Sequence, residues 1–282
     1  MKSILSVDVE DWFHILGLSS APGLNEWGSL PSHVESNFMT LLDLFEAGGV
    51  KVTCFFLGWV AERYPHLVRE AAARGHEIAS HGYAHELVFR QGPEEFREDA
   101  GKSKLLLEDI AGRAVKGYRS AGFSSTEATP WFFEQLAEAG YIYDSSVFPA
   151  AREHGGMKTA DIGPHMVPAG SGHIIEFPIS VARVMGRPIC FFGGGYLRLF
   201  PWTIIRRMAR KVLSDGRPVL FYIHPREIDP CHPRLPMSLR RRFKCYVNLG
   251  TVRRKLEEIL KEFDLTTFED FIDSSADLRV NR

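Results

Sequence analysis

Cysteine is scarce in this 282-residue sequence, which contains only four: Cys54, Cys190, Cys231 and Cys245. They are scattered along the chain, and no two of them form a Cys-x2-Cys pair. We therefore interpret all four as reduced thiols, which excludes a disulfide framework and predicts a cytoplasmic protein.

Long apolar runs and an excess of charge of one sign are also missing. No stretch of eighteen apolar residues occurs, so we expect no membrane span. The first three residues lead directly into a strand with carboxylates, not into the apolar core of a signal peptide. The formal net charge is -1, so we expect no general attraction to nucleic acid.

Strand-like and helix-like segments alternate along much of the chain. β-Branched and aromatic runs predict strands at residues 4–7, 50–57, 77–79, 115–118, 141–143 and 218–223. Helical patterns separate the early strands; one begins with the capping-box spacing of Ser32 and Glu35, and the next is bent at Tyr64-Pro65. The alternation indicates βα units and a parallel sheet. Residues 149–172 show no regular pattern, and without a linker we predict one domain, 1–282.

Two histidines, His81 and His85, follow the short strand at 77–79. If their loop begins with a helical turn, this four-residue spacing turns both imidazoles toward one point. Neutral imidazole suits zinc and its neighbours, so the pair is a candidate metal site. The alternative is two loop histidines that only form local hydrogen bonds.

Three carboxylates, Asp8, Glu10 and Asp11, stand at the end of the first strand. Side chains alternate across a strand, so Asp8 and Glu10 point the same way. One carboxylate and two imidazoles would give three protein ligands and leave a fourth position for water. That arrangement is the open zinc site of a hydrolase.

Two further strands end in polar residues, Arg119 after 115–118 and His224 after 218–223. Taken singly, Arg119 fits a surface salt bridge and His224 fits a hydrogen-bonded strand-end histidine. Catalytic residues of (β/α) barrels stand at the C-terminal ends of parallel strands, and the joint pattern therefore favours an active site.

The segments that carry these residues resemble the polysaccharide deacetylase (NodB-homology) family, carbohydrate esterase family 4. They are residues 8–14, 80–85, 117–120, 144–146 and 223–225. The resemblance implies an α/β fold, a distorted and incomplete (β/α) barrel. Residues 193–201 and 241–249 look like the subgroup found in bacterial exopolysaccharide and O-antigen loci, which implies a C-terminal subgroup-specific extension at about 180–282.

The resemblance also implies catalytic roles. Asp8 would be the general base, Arg119 would orient it, and His224 would be the general acid, because an imidazole can hold its proton to near pH 7. Asp144 is a candidate orienting partner of His224.

The metal implied by the resemblance is divalent, and we expect zinc. The common first motif has adjacent aspartates, but Val9 stands in the second place here. We therefore assign the ligand role to Glu10, with Asp11 as the alternative, beside His81 and His85. The third motif usually has a proline where this chain has Ala121 and Gly122.

An N-acetylated amino sugar of a bacterial surface or extracellular polysaccharide, or its precursor, is the implied substrate. We expect Trp12, Tyr118, Tyr196 and Arg198 to contact it. Related chemistries, deformylation or cyclic-amide hydrolysis, and a non-catalytic sugar-binding role remain alternatives.

Two basic clusters remain outside these motifs, residues 206–211 and 240–244. A solvated face explains such charges, whereas contact with a substrate phosphate or with an anionic membrane surface is the second interpretation.

Overall fold

The computed structural model describes residues 2–18, 20–150, 155–158 and 160–278. Within them, the strands are β1 (Ser3–Val9), β2 (Thr53–Phe56), β3 (Glu77–Ser80), β4 (Gly117–Tyr118), β5 (Tyr143–Asp144), β6 (His165–Ala169), β7 (Gly172–Glu176), β8 (Val181–Val184), β9 (Arg187–Cys190), β10 (Leu220–Ile223) and β11 (Leu265–Thr266). The helices are α1 (Leu24–Trp27), α2 (Val34–Ala47), α3 (Gly58–Arg63), α4 (Pro65–Ala73), α5 (Pro93–Ala111), α6 (Phe132–Glu138), α7 (Gly194–Leu199), α8 (Trp202–Ser214), α9 (Leu239–Tyr246), α10 (Val252–Glu262) and α11 (Phe268–Ser274).

The large sheet has the strand order β10-β1-β2-β3-β4-β5-β7-β6, with β11 also paired to β1. The pairs along this order are parallel, except β6 with β7, which is antiparallel. Helices connect β1 to β2, β2 to β3, β3 to β4 and β4 to β5, as βα units require. The sheet has two ends, at β6 and β10, which confirms the predicted α/β fold with an incomplete barrel.

The register of the strands brings the predicted polar strand ends together. Val9 pairs with Phe56, Phe56 with Ser80, and Ser80 with Tyr118. On the other side of β1, Val7 pairs with Ile223. The residues that follow these positions therefore emerge at one edge of the sheet.

Alternation along the strands divides the apolar side chains between two layers. Cys54 and Phe56 of β2 pack in the larger cluster, between the sheet and its helices. Phe55, between them in sequence, packs in a second cluster with Tyr143 and with Phe268 of α11. Both faces of β2 are consequently buried, as its continuous apolar sequence predicts.

Some local predictions differ from the structure. The bend at Tyr64-Pro65 is a break between α3 and α4, because proline starts a new helix at its first position. Part of 149–172 is ordered as β6, which pairs with β7, and the hairpin of β8 and β9 was not predicted. These strands are short and include Pro168 and Pro188, so they lack an obvious strand pattern.

No helix within the described residues is both long and apolar enough to cross a membrane.

Candidate active site

A cavity of about 490 Å³ opens where the parallel strands end. Asp8, Glu10, His81, His85 and His224 all line it. Other parts of its wall come from residues within 14–16, 122–123, 194–199, 222–226 and 241–247. The sequence-predicted strand-end residues thus meet at one concave surface.

Glu10, His81 and His85 form a buried cluster whose candidate ligand atoms all lie within 4.8 Å of one another. His81 Nδ1 is 2.8 Å from the backbone carbonyl oxygen of Arg119, to which it must donate. The lone pair of His81 is therefore on Nε2, and burial lowers its pKa, which favours the neutral form. This is the protonation state that a metal ligand needs.

The loop after β3 brings the two histidines together without a helical turn, contrary to the sequence interpretation. Gly82 and His85 have positive φ values of 74° and 56°. The Asp99 carboxylate accepts hydrogen bonds from the backbone N–H groups of Tyr83 and Ala84, at 2.8 and 3.1 Å. These bonds hold the backbone in a conformation that the four-residue spacing alone does not specify.

Glu10 carries the negative charge of the cluster. Burial acts to raise its pKa, but the neighbouring imidazoles of His85 and His224 keep the pKa well below its usual range. Glu10 Oε2 lies 2.8 Å from His85 Nε2. Within the described residues, however, this oxygen accepts no hydrogen bond. A buried carboxylate oxygen without a donor, beside two imidazoles, fits a divalent cation.

Asp8 is held by a buried guanidinium. Arg119 Nη1 donates to Asp8 Oδ1 at 2.6 Å and to Ser6 Oγ at 2.8 Å. Its other side donates to Ser145, at 3.1 Å to Oγ and 3.3 Å to the carbonyl oxygen. The guanidinium also lies 4.0 Å from the centre of the Phe55 ring. These contacts fix Asp8 in place with Oδ2 on the His224 side.

His224 stands between the carboxylates and a second acid. Its Nε2 is 3.4 Å from Glu10 Oε1 and 3.8 Å from Asp8 Oδ2. Its Nδ1 is 3.2 Å from Glu227 Oε2, and Glu227 Oε1 forms an ion pair with Arg198. The carboxylate in contact with the His224 ring is therefore Glu227, whereas the sequence predicted Asp144 for this position.

Burial lowers the pKa of His224 to about 4, although Glu10 and Asp8 act to raise it. The imidazole is therefore neutral near pH 7 before substrate binds. This corrects the expectation that His224 holds its proton to near neutrality, because desolvation outweighs the two neighbouring carboxylates.

Asp11 lies away from the cluster of candidate ligands. Its Oδ2 accepts from Ser32 Oγ at 2.6 Å and from the backbone N–H groups of His33 and Val34 at 3.1 and 3.3 Å. Asp11 thus caps the start of α2. The Ser32 hydroxyl donates to Asp11 and does not form the predicted capping box. This geometry favours Glu10 over Asp11 as the carboxylate ligand.

Asp144 forms a buried pair with Glu176, which lies opposite it in the register of β5 and β7. Asp144 Oδ1 accepts from Ser146 Oγ at 2.6 Å, and its Oδ2 accepts from the Ser146 backbone N–H at 3.0 Å. Burial raises the pKa of Asp144 to about 6 and also raises that of Glu176. Two adjacent buried carboxyl groups favour sharing a proton. The contacts of Asp144 are therefore with groups of the protein core and not with His224.

The four expected substrate contacts divide into two pairs. The Trp12 indole donates to the Pro31 carbonyl oxygen at 2.9 Å, and Tyr118 packs on Phe96 and Tyr141. Both rings are buried in the core between sheet and helices, outside the cavity lining, which corrects the expectation for them. Tyr118 precedes Arg119, so strand alternation turns it toward the helices.

Tyr196 and Arg198 do line the cavity, from the short helix α7. The residue before this helix, Gly193, has no room for a side chain, because a Cβ there would lie 2.1 Å from the Tyr222 ring. Arg198 is almost fully buried, and besides Glu227 it donates to the Lys244 carbonyl oxygen at 3.0 Å. The described hydrogen bonds of Arg198 are therefore made to groups of the protein itself.

Three residues have clear functional potential that their sequence context did not reveal: His14 and Arg226, which line the cavity, and Glu227, which contacts His224 from behind it. His14 Nδ1 accepts from the Asp11 backbone N–H at 3.0 Å, so its proton is on Nε2. Arg226 and Glu227 lie in the turn Pro225–Ile228, directly after His224. Their only sequence signal is proximity to a strand-end histidine. Two further histidines, His165 and His173, lie on the hairpin of β6 and β7, outside the cavity lining.

The basic clusters have two different environments. On α8, Arg206 and Arg210 pair with Glu262 of α10, at 3.9 and 2.7 Å, as expected for a solvated face. Arg241 and Lys244 instead line the cavity, where Arg241 Nη2 also donates to the Leu16 carbonyl oxygen at 2.5 Å.

Two family models match adjacent parts of the chain. Residues 28–143, which contain His81, His85 and Arg119, match the polysaccharide deacetylase model. Residues 145–273, which contain His224, match a domain of unknown function, DUF3473. The family models thus meet at the end of β5.

The chain is also similar to individual proteins. It is 35% identical over 79 residues to a peptidoglycan-N-acetylglucosamine deacetylase of Bacillus cereus, and that match covers 28% of this chain and 29% of the relative. A Mycobacterium smegmatis structure assigned as a polysaccharide deacetylase aligns with TM-score 0.61 and 21% identity, over 96% of this chain and 90% of that one. The Puue allantoinase structure aligns with TM-score 0.59 and 18% identity, over 95% and 87%. These structures support the fold, and the family model and the strand-end motifs agree on the first part of the chain: residues 28–143 match the polysaccharide deacetylase family.

Proposed function

We propose that this protein is a metal-dependent hydrolase that removes the N-acetyl group from an amino sugar. The observation that carries the proposal is the convergence of Glu10, His81 and His85 beside Asp8 and His224 in one cavity. Three candidate ligands, a carboxylate base and an imidazole are the groups that metal-assisted amide hydrolysis requires.

The ligand set fits a divalent metal of the zinc type. The carboxylate of Glu10, the Nε2 lone pair of His81 and the imidazole of His85 would hold it, as oxygen and nitrogen donors suit zinc. When bound, such a metal supplies a Lewis acid for the amide carbonyl and lowers the pKa of water from 15.7 toward about 7. The bond from His81 Nδ1 to the Arg119 carbonyl oxygen supports this role, because it fixes the imidazole orientation.

Asp8 would accept the proton of the attacking water. Arg119 occupies its Oδ1. Its Oδ2 remains directed toward His224 Nε2, at 3.8 Å. Asp8 therefore has one oxygen for positioning and one for proton transfer.

His224 would deliver a proton to the leaving nitrogen. Because the imidazole is neutral at rest, it needs to receive a proton during the reaction before it can donate one. The proton taken by Asp8 is close enough to supply it after a small approach of the two side chains. Glu227 would hold Nδ1–H and so direct Nε2 to the substrate.

We propose an N-acetylated amino sugar of a bacterial surface or extracellular polysaccharide, or its precursor, as the substrate. The cavity volume of about 490 Å³ lies within the range of small-molecule sites. The exopolysaccharide subgroup, the extension from about residue 180, zinc as the metal and a cytoplasmic location stay predictions from the sequence.

The direct experiment measures metal content and acetate release with the purified protein. Tightly bound zinc, together with acetate release from at least one N-acetylhexosamine of a panel, would support the proposal. Formate release from formamido sugars, or hydrolysis of a cyclic amide without acetate release, would assign a different hydrolase activity of this fold. Stoichiometric sugar binding with no hydrolysis of any panel compound would favour a non-catalytic sugar-binding protein.

A further inference from the structure

Arg226 is a buried cation, and within the described residues two of its three nitrogens have no hydrogen-bond partner. Its side chain lines the cavity at 9% exposure. Within the described part of the chain, Nε and Nη1 are fully buried and have no hydrogen-bond partner, and no carboxylate pairs with the guanidinium. A buried, unpaired guanidinium is costly, since removal from water is not offset by an opposite charge.

The other buried arginines of the site contrast with Arg226. Arg119 pairs with Asp8, and Arg198 pairs with Glu227, so each has its own carboxylate. The next residue along the chain, Glu227, is thus already occupied by Arg198 and His224. Among the described residues, the site therefore contains three buried guanidinium groups, on Arg119, Arg198 and Arg226, and two carboxylates paired with them, on Asp8 and Glu227.

Arg226 also acts on a neighbouring buried cation. Burial and the charge of Arg226 together lower the pKa of Arg198 to about 9. Among the described residues that line the cavity, the acids are Asp8 and Glu10, and they face Arg119 and the candidate metal ligands. A bound divalent metal would add further positive charge.

We propose that Arg226 forms an anion subsite, which binds a carboxylate or phosphate group carried by the sugar substrate. This inference rests on the proposed deacetylation, because it places the anion in the cavity that contains the catalytic groups. A planar guanidinium with free N–H groups matches either oxyanion, and the desolvated surroundings strengthen the contact. The substrate would therefore be an acidic or phosphorylated amino sugar, not a neutral one.

The test compares three probes that differ only in charge at one position: N-acetylglucosamine, its 6-carboxylate and its 6-phosphate. N-acetylglucosamine 1-phosphate extends the set to the other end of the sugar. Calorimetric titration of the purified protein measures affinity without turnover. We expect at least one anionic probe to bind roughly 10- to 100-fold more tightly than the neutral sugar, the usual range for a hydrogen bond to a charged group.

Arg226→Met should abolish this preference and leave affinity for the neutral sugar unchanged. Arg207→Met is the matched control, because Arg207 is exposed on α8 and does not line the cavity. If Arg226→Met does not fold, Arg226→Lys keeps the charge but loses the two-pronged contact, so it should weaken binding of the preferred anion about tenfold.

A preference for the carboxylate alone or for a phosphate alone would support the subsite and identify its ligand. Equal affinity for all four probes, or a preference that survives in Arg226→Met, would overturn it. The binding readout separates this inference from the catalytic proposal: retained anion preference without acetate release contradicts only the proposed function, whereas acetate release without anion preference contradicts only the subsite.

Discussion

The two halves of the chain contribute different kinds of groups to the same cavity. The first half, which ends at β5, supplies Asp8, Glu10, His81 and His85, all within one residue of a strand end or in the loop that follows it. Its buried Arg119 follows β4 directly. This half therefore contains the candidate metal ligands and the base, at positions set by a parallel sheet.

The second half supplies the candidate acid and much of the surrounding wall. His224 follows β10, but Glu227 and Arg226 come from the turn after it, and Tyr196 comes from α7. Residues of α9 complete this side of the cavity. The first half thus contributes groups at positions that the parallel strands set, whereas most groups of the second half come from the turns and short helices that follow its strands.

The largest effect should come from the ligand cluster. His81→Ala removes a ligand and the bond to the Arg119 carbonyl oxygen, so bound zinc should be lost. Acetate release should fall by on the order of 10³-fold or more, since Lewis-acid assistance is worth several kcal/mol. Metal analysis and a steady-state assay check both effects. His173→Ala, an exposed residue outside the cavity, is the control; stoichiometric zinc in His81→Ala would reject the site.

The second test separates the acid from the ligands. His224→Gln should lower kcat by roughly 10²- to 10⁴-fold, the range for loss of general acid catalysis, while zinc content stays unchanged. Glu227→Gln should lower kcat by a smaller factor, roughly 10- to 100-fold, because Nδ1 loses a charged acceptor. Near-normal turnover in His224→Gln would transfer the acid role to another residue, with His14 as the next candidate in the cavity.

Much of the first half could be predicted because local patterns and the sheet act together there. A continuous apolar run followed at once by a polar residue predicts both the strand and the edge at which that residue emerges. This reasoning placed Asp8, Glu10, Arg119 and His224 correctly at one edge. It also correctly predicted a parallel α/β sheet before any pairing was known.

The remaining features depend on contacts between distant segments. Asp11 caps a helix that begins 23 residues later, and its contacts with Ser32 and Val34 have no local signature. Trp12 and Tyr118 belong to the core because their side chains face the helices. A sequence motif does not specify toward which face of the sheet a side chain points. The hairpin of β6 and β7 is ordered by its attachment to β5, which tertiary context alone provides.

The boundary between the halves provides a pH test. Asp144 lies on the first half and Glu176 on the second, and both have raised pKa values because of burial. The folded state therefore retains a proton that the unfolded chain releases above about pH 4, so the pair stabilises the fold at low pH. This contribution should be lost as pH rises through about 6.

Asp144→Asn should flatten this pH dependence, measured as the free energy of unfolding in urea between pH 4 and 7. It should also keep kcat within about threefold of the wild-type value, unlike Glu227→Gln, because Asp144 does not contact His224. A large loss of kcat with zinc retained would restore Asp144 as a catalytic residue. An unchanged pH slope would show that the carboxyl pair does not share a proton.

The smallest effect should come from Asp11, which tests whether adjacent carboxylates of the first half have separate roles. Asp11→Asn keeps the shape of the cap but weakens its bonds to the start of α2, so the unfolding free energy should fall by about 1 kcal/mol. Zinc content should not change. Glu10→Gln is the matched variant, and it should lose zinc with little loss of stability, because removing its buried charge also removes a desolvation cost. If Asp11→Asn loses the metal while Glu10→Gln retains it, the ligand assignment of the two residues must be exchanged.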